Sequence, residues 1–165
     1  MKVIDMDIKV YCDLDGVLAD FVDQWKVYYK QDPTKHEKVI GKEKFDEILD
    51  SAPLEFWTDM KLMPNANGGQ ALWNKIKNYD TEILSSPAES QASRLGKQKW
   101  LESKEINVPL NLEKSSKKQN FAAPNHILID DRKRNIEQWK TAGGIGILHK
   151  NNSTTFAELK KHGIV

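Results

Sequence analysis

Two aspartates stand one residue apart in Asp13-Leu14-Asp15-Gly16-Val17, directly after the short apolar run 8–12 (IKVYC). Where such a run is a buried parallel strand, its carboxyl end opens on the crevice in which α/β sheets hold ligands. Both carboxylates would reach that crevice, and their repulsion makes ionising both costly unless a cation lies between them. A hard cation such as Mg2+ takes oxygen ligands and suits one or two carboxylates combined with phosphate oxygens. Gly16 allows a sharp turn and a close approach of backbone to ligand. Aspartate is also common in plain strand-end turns, so a bare Asp-x-Asp carries little information. The apolar run before it and Gly-Val-Leu after it are what single this one out.

Three other places could serve the same chemistry. Ser85 and Ser86, ahead of Pro87, follow the apolar run 81–84 (TEIL). Their hydroxyls and backbone N–H groups suit a phosphoryl oxygen, although Ser-Ser-Pro is ordinary turn chemistry as well. Asp130-Asp131 follow 126–129 (HILI) and could complete a metal shell with Asp13 and Asp15. Asp131 ahead of Arg132 and Lys133 also reads as a helix N-cap, and the two readings are compatible. Lys97 and Lys99 are candidate cations to offset phosphoryl charge.

These residues need a sheet to bring them together. Runs 8–12, 81–84, 126–129 and 144–148 (GIGIL) are short, apolar and rich in β-formers, and 106–112 is a weaker one split by Pro109. Between them, helical spacing places Ala71, Leu72, Ile76 and Tyr79 on one face of 68–79. It also predicts helices over 90–104 and 132–142, the latter stopped by Gly143-Gly144. Ser153 reads as the cap of a last helix through Lys161. Strands alternating with helices of this length predict an α/β fold: a Rossmann-like parallel sheet with helices on both faces. Residues 20–63 break the rhythm, with helical patterns over 21–30 and 42–50 joined by loops containing Pro33, Gly41 and Pro53. They read as a small helical cap inserted after the first strand, leaving 1–19 and 64–165 as the core. The charge cluster 113–118 (EKSSKK) reads as a solvated loop.

Composition narrows the function classes. With 165 residues the chain suits one compact domain with a small insertion. A net charge of +1, from 25 basic and 24 acidic residues, argues against a surface dedicated to nucleic acid or an anionic membrane. Cys12 is the single cysteine, which excludes an intrachain disulfide and argues for a small buried side chain rather than a thiolate metal site. No apolar stretch approaches the roughly 20 residues of a membrane span, and residues 1–9 carry no signal-peptide core. A cytoplasmic location is expected.

Taken in order, Asp13 with Asp15, Ser85, Lys97 and Asp130-Asp131 resemble the four motifs of the haloacid-dehalogenase superfamily of phosphotransferases, spread over most of the chain. Within it, 13–21 (DLDGVLADF), Ser85-Ser86-Pro87, 97–100 (KQKW) and 129–132 (IDDR) resemble the 5′(3′)-deoxyribonucleotidases. The resemblance implies a HAD-like fold and a Mg2+-dependent phosphatase acting on a small phosphate ester, a deoxynucleoside monophosphate. It implies Asp13 as nucleophile, Asp15 as general acid/base and Lys97 as the catalytic lysine, with Lys99 its rival. Metal would be held by Asp13, Asp130 and the backbone carbonyl of Asp15. Ser85, Ser86 and the backbone at Gly16 would hold phosphate, Phe21 would lie at the base, and Lys118 would match a lysine ahead of the last motif, with Lys117 fitting almost as well. Phe56 and Trp57 are either base platforms or cap core. The cap would exclude water and choose the leaving group. Rival readings are a phosphatase for a sugar phosphate or a nucleic-acid 3′-phosphate, and a non-catalytic binding module on the same fold. No stable nucleic-acid or membrane partner is expected, and a homodimer is left open.

Overall fold

The computed structural model describes residues 7–65 and 68–165. Residues 1–6, most of the stretch searched above for a signal peptide, lie outside them. Five strands, β1 (Lys9–Cys12), β2 (Asp80–Ser85), β3 (Leu110–Leu112), β4 (His126–Asp130) and β5 (Ile145–Leu148), form one parallel sheet in the order β3-β2-β1-β4-β5. Continuous apolar runs rather than alternation mark the inner strands because both faces are covered. Val10, Cys12, Ile83, Leu84, Ile127, Leu128 and Ile129 are all fully buried. The register pairs Cys12 with both Ile83 and Ile129, so the three central strands end within two residues of one another. The first polar residues after these runs therefore emerge at one edge of the sheet.

The chain divides into two compact units. The first comprises residues up to Ala19, Leu62–Ser85 and Val108–Val165, and holds the whole sheet with α5 (Gly69–Ile76), α7 (Lys133–Thr141) and α8 (Asn152–Lys161). On one face Tyr11, Leu84 and Leu128 pack with Ile136 and Trp139 of α7. The Trp139 ring meets Tyr11 edge-on, and its indole N–H donates to the His126 carbonyl at 3.1 Å. Helices α5 and α8 pack together, and α8 lies against β5. The weak run 106–112 becomes strand only after Pro109, as the three-residue edge strand β3. A proline cannot donate to a ladder, so it sits just outside.

The second unit comprises Asp20–Lys61 and Ser86–Asn107. It gathers α1 (Phe21–Tyr29), α2 (Pro33–Ile40), α3 (Lys42–Asp50) and α4 (Leu54–Thr58) with α6 (Gln91–Ser103), the helix that follows β2. Its core is aromatic: Trp25, fully buried, stacks on Phe45 at 4.3 Å, and its indole donates to Nδ1 of His36 at 3.1 Å. Trp100 ties α6 to the inserted segment by donating to the Met60 carbonyl at 2.6 Å.

Four local expectations are corrected. Pro33 does not lie in a loop but opens α2, because proline suits a first helical turn and the Asp32 carboxylate accepts from the Lys35 N–H. Helix α8 is capped by Asn151, which accepts from the Thr154 N–H at 2.8 Å, and not by Ser153. Helix α7 has no side-chain cap from Asp131; the N–H of Arg132, its cap residue, goes to Asp130 instead. The charged 113–118 is not a solvated loop, since Ser115–Phe121 coils into a 3₁₀ segment that buries Lys118. Among the described residues no helix is long and apolar enough to cross a membrane.

Trp139→Ala should cost about 3–5 kcal/mol, the usual loss for a buried aromatic truncated to alanine. Chemical denaturation reads this directly, and an unchanged midpoint would show that α7 does not depend on that face of the sheet.

Candidate active site

Strand β1 ends in a tight turn. The N–H groups of Val17, Leu18 and Ala19 all reach the Leu14 carbonyl, while the Gly16 N–H reaches the Ala19 carbonyl at 2.9 Å. Leu14, Val17, Leu18 and Ala19 are buried and anchor this turn, so the apolar residues of the motif hold its polar ones in place. Gly16 adopts φ +85°, a left-handed conformation open to glycine. A Cβ there would fall 2.2 Å from a carboxylate oxygen of Asp131. Two independent constraints thus require glycine at this position.

Asp13 is 7% exposed and its N–H bonds the Ile129 carbonyl at 2.9 Å, which locks the end of β1 to β4. Asp130, fully buried, accepts from the Arg132 N–H at 2.8 Å and from the Asn135 amide at 3.0 Å. Between the two aspartates lies the ammonium of Lys118, 3.2 Å from Asp13 and 2.8 Å from Asp130. Lys118 is 2% exposed, whereas Lys117 points to solvent. Burial alone would lower the Lys118 ammonium, but Asp13 and Asp130 outweigh it and leave its pKa above the ordinary value.

Asp13, Asp130 and Asp131 each present a carboxylate oxygen, and these oxygens lie within 4.8 Å of one another. Against these three carboxylates and the nearby Asp15 stand the buried Lys118 ammonium and the Arg132 charge felt by Asp131, so full ionisation leaves negative charge in excess. The strain appears on two of them. Burial pushes Asp13 up to about 8, against the pull of Lys118 and with the repulsion of Asp130, Asp131 and Asp15. Asp131 is solvent-exposed, but crowding by the protein and then Asp130 push it up to about 6 against the pull of Arg132. A small dication with oxygen preference fits this donor set in charge and in chemistry. The carboxylate of Asp15 is not among those three; it is close enough to raise both Asp13 and Asp131.

Ser85 closes β2, and Glu113 donates its N–H to the Ser85 carbonyl at 3.0 Å. The Ser85 hydroxyl is buried and has no hydrogen-bond partner among the described residues. A buried hydroxyl without a partner costs stability, which makes it a candidate ligand contact.

Ser86, Lys97 and Phe21 belong to the second unit. Lys97 is 2% exposed, unusual for a lysine, and its ammonium lies 5.0 Å from the centre of the Trp57 ring. Lys99, its rival by sequence, is exposed. Phe21 packs against Trp25 and Phe56 at 5.8 and 5.9 Å. Phe56 is fully buried and touches Trp25, Tyr28, Tyr29 and Trp57 as well, so it is core of this unit rather than a base platform. Sequence reading missed Asn135, whose only mark was its place in the first turns after Asp130-Asp131.

No protein-family model and no curated protein matches the chain. Solved structures do resemble it. A hydrolase from Streptococcus pneumoniae aligns over 94% of this chain and 100% of its own at 17% identity, with TM-score 0.50. A HAD-superfamily hydrolase of subfamily IA from Geobacter sulfurreducens aligns over 88% and 89% at 12% identity, with TM-score 0.54. L-2-haloacid dehalogenase from Xanthobacter autotrophicus aligns over 97% and 85% at 11% identity, with TM-score 0.53. The fold is therefore HAD-like, as its parallel sheet and flanking helices led one to expect.

Because folding raises Asp13 from an ordinary 3.8 to about 8, the metal-free native state holds a proton that the unfolded chain has released. That contribution is fully present below the unfolded value and is lost as pH rises through the folded one. Metal-free protein should lose stability between about pH 4 and pH 8, and millimolar Mg2+ should raise the melting temperature more at pH 8 than at pH 5. Equal gains at both would show that the cluster holds no cation. In the same buffers without metal, Lys118→Met should cost roughly 3–5 kcal/mol at pH 8, as when one partner of a buried pair is removed, and less at pH 5.

Proposed function

We propose that the chain is a Mg2+-dependent phosphatase acting through an aspartyl-phosphate on Asp13, with deoxynucleoside monophosphates as its substrates. The observation that carries this reading is the excess of carboxylate over cation in the cluster of Asp13, Asp130 and Asp131, where Lys118 pairs with Asp13 and Asp130. A centre that merely stabilised the fold would gain from balanced charge; this one is poised for a cation and an anionic ligand together.

Asp13 attacks phosphorus while Lys118 holds its carboxylate in place. Asp15, two residues along, gives a proton to the departing alkoxide and then takes one from the water that hydrolyses the aspartyl-phosphate. Ser85 and Ser86 donate to phosphoryl oxygens, and Lys97 balances their charge. Bound Mg2+, held by Asp13 and Asp130 with Asp131 or the Asp15 carbonyl, would supply the charge that keeps Asp13 ionised and neutralises the phosphoryl group. The helices of 20–63 act as a cap.

The dehalogenase neighbour raises a second reaction type on this fold. A halide leaves without a proton, so it asks for neither an acid such as Asp15 nor an acidic cluster awaiting a cation. The carboxylate arrangement therefore favours phosphate esters. The narrower substrate class is supported by 13–21 (DLDGVLADF), in which Phe21 is half-buried among the aromatics of the second unit. Balanced charge and a single buried cysteine support a cytoplasmic enzyme with a small-molecule substrate, and allow a homodimer.

Phosphate release should be measured from deoxy- and ribonucleoside 5′- and 3′-monophosphates, a sugar phosphate and a 3′-phosphorylated oligonucleotide, with and without Mg2+. Magnesium-dependent turnover fastest on deoxynucleotides is expected, and Asp13→Asn should abolish it while leaving the fold intact. Wild-type turnover by that variant would falsify the nucleophile assignment. Turnover confined to another ester would keep the chemistry and remove the nucleotidase reading. Failure on every ester, with no magnesium-dependent beryllium fluoride adduct at Asp13, would favour a binding module.

A further inference from the structure

Trp57 lies in α4 and is 3% exposed, yet its indole N–H is buried without an acceptor among the described residues. A buried donor left unsatisfied destabilises a protein; phenylalanine would remove that donor, although its smaller ring would leave a cavity. What tryptophan offers beyond phenylalanine is a stronger attraction for a cation over its face. Such a cation is present: the Lys97 ammonium lies 5.0 Å from the ring centre, within the range of that attraction.

The backbone of α6 is shaped to allow this contact. Residue 96, immediately before Lys97, is glycine, and a Cβ there would fall 2.3 Å from the Cβ of Trp57. Any larger residue would push Trp57, and with it the ring, away from α6. Gly96 admits the tryptophan, and the tryptophan faces the lysine of the next position.

We propose that Trp57 is a positioning residue for Lys97, holding its ammonium by a cation–π contact that Gly96 makes possible. This rests on the role given to Lys97 above. A long lysine side chain has many rotamers, and favouring one of them before the phosphoryl group arrives removes ordering cost from the reaction.

The test compares Trp57→Phe, Trp57→Leu, Gly96→Ala and Lys97→Met in the full chain. Lysine labelled with 13C at Cε gives a Lys97 resonance, assigned by its disappearance in Lys97→Met. In the native protein the indole ring current should shift it upfield. Trp57→Phe should keep part of that shift, and Trp57→Leu and Gly96→Ala should lose it. Turnover of a deoxynucleoside monophosphate should follow the same order, with kcat/KM falling about tenfold in Trp57→Leu, the equivalent of one buried cation–π contact. Normal turnover by both Trp57→Phe and Trp57→Leu would mark Trp57 as packing alone and overturn the proposal. So would an unshifted native Lys97 resonance. Lys97→Met with native turnover would overturn the role of Lys97 itself, and the positioning proposal with it. Where Gly96→Ala or Trp57→Leu fails to fold, Trp57→Phe and Trp57→Tyr carry the comparison.

Discussion

The buried ammonium of Lys118, shared between Asp13 and Asp130, is the interaction on which the architecture of the first unit turns. Two carboxylates on neighbouring parallel strands, one fully buried and the other nearly so, would repel each other in a medium that screens poorly. The ammonium offsets part of that repulsion, and hydrogen bonds from Asn135 and the Arg132 N–H satisfy the rest of Asp130. The 3₁₀ segment Ser115–Phe121 carries that side chain and buries it. Compensation nevertheless stops short of neutrality, because Asp131 adds a third carboxylate and Asp15 stands close by. A site that remains electrostatically unfinished is in tension with folding and suited to ligand chemistry.

The second unit solves a different problem. Its inserted helices are short, from five to nine residues, and isolated helices of that length are marginal in water. They are held by aromatic packing around Trp25 and Phe56 and by the attachment of α6 through Trp100 and Gly96. The helix that carries Lys97 is therefore the one built into these inserted elements. A buried lysine over an indole face, with an indole N–H left unpaired beside it, is a costly arrangement for packing alone.

Likeness at 11–17% identity to hydrolases and a dehalogenase shows how widely this fold is reused, and places no substrate on this chain. What distinguishes chemistries on such a fold is the set of groups at the carboxyl ends of the strands. Here that set comprises an aspartate, a second aspartate two residues on, an unpartnered serine hydroxyl, a buried lysine and an acidic pair.

Much of this was legible in the amino-acid order. Apolar runs followed by Asp13, Ser85 and Asp130 mark buried strands and their carboxyl ends, because a strand covered on both faces tolerates polarity only where it leaves the sheet. The strand-helix alternation then implies a parallel sheet. Tertiary structure alone decided which lysines are buried. Lys117 and Lys118 are indistinguishable neighbours in a charged run, and Lys97 and Lys99 share one helix; burial separates each pair, since only a folded chain has an inside. For Asp131, which the pattern offered both as a helix cap and as part of a metal shell, the structure keeps only the place in the acidic cluster, and Asn135 has a role only because α7 begins beside Asp130. Local sequence specifies what a segment prefers, whereas charge balance depends on which segments meet.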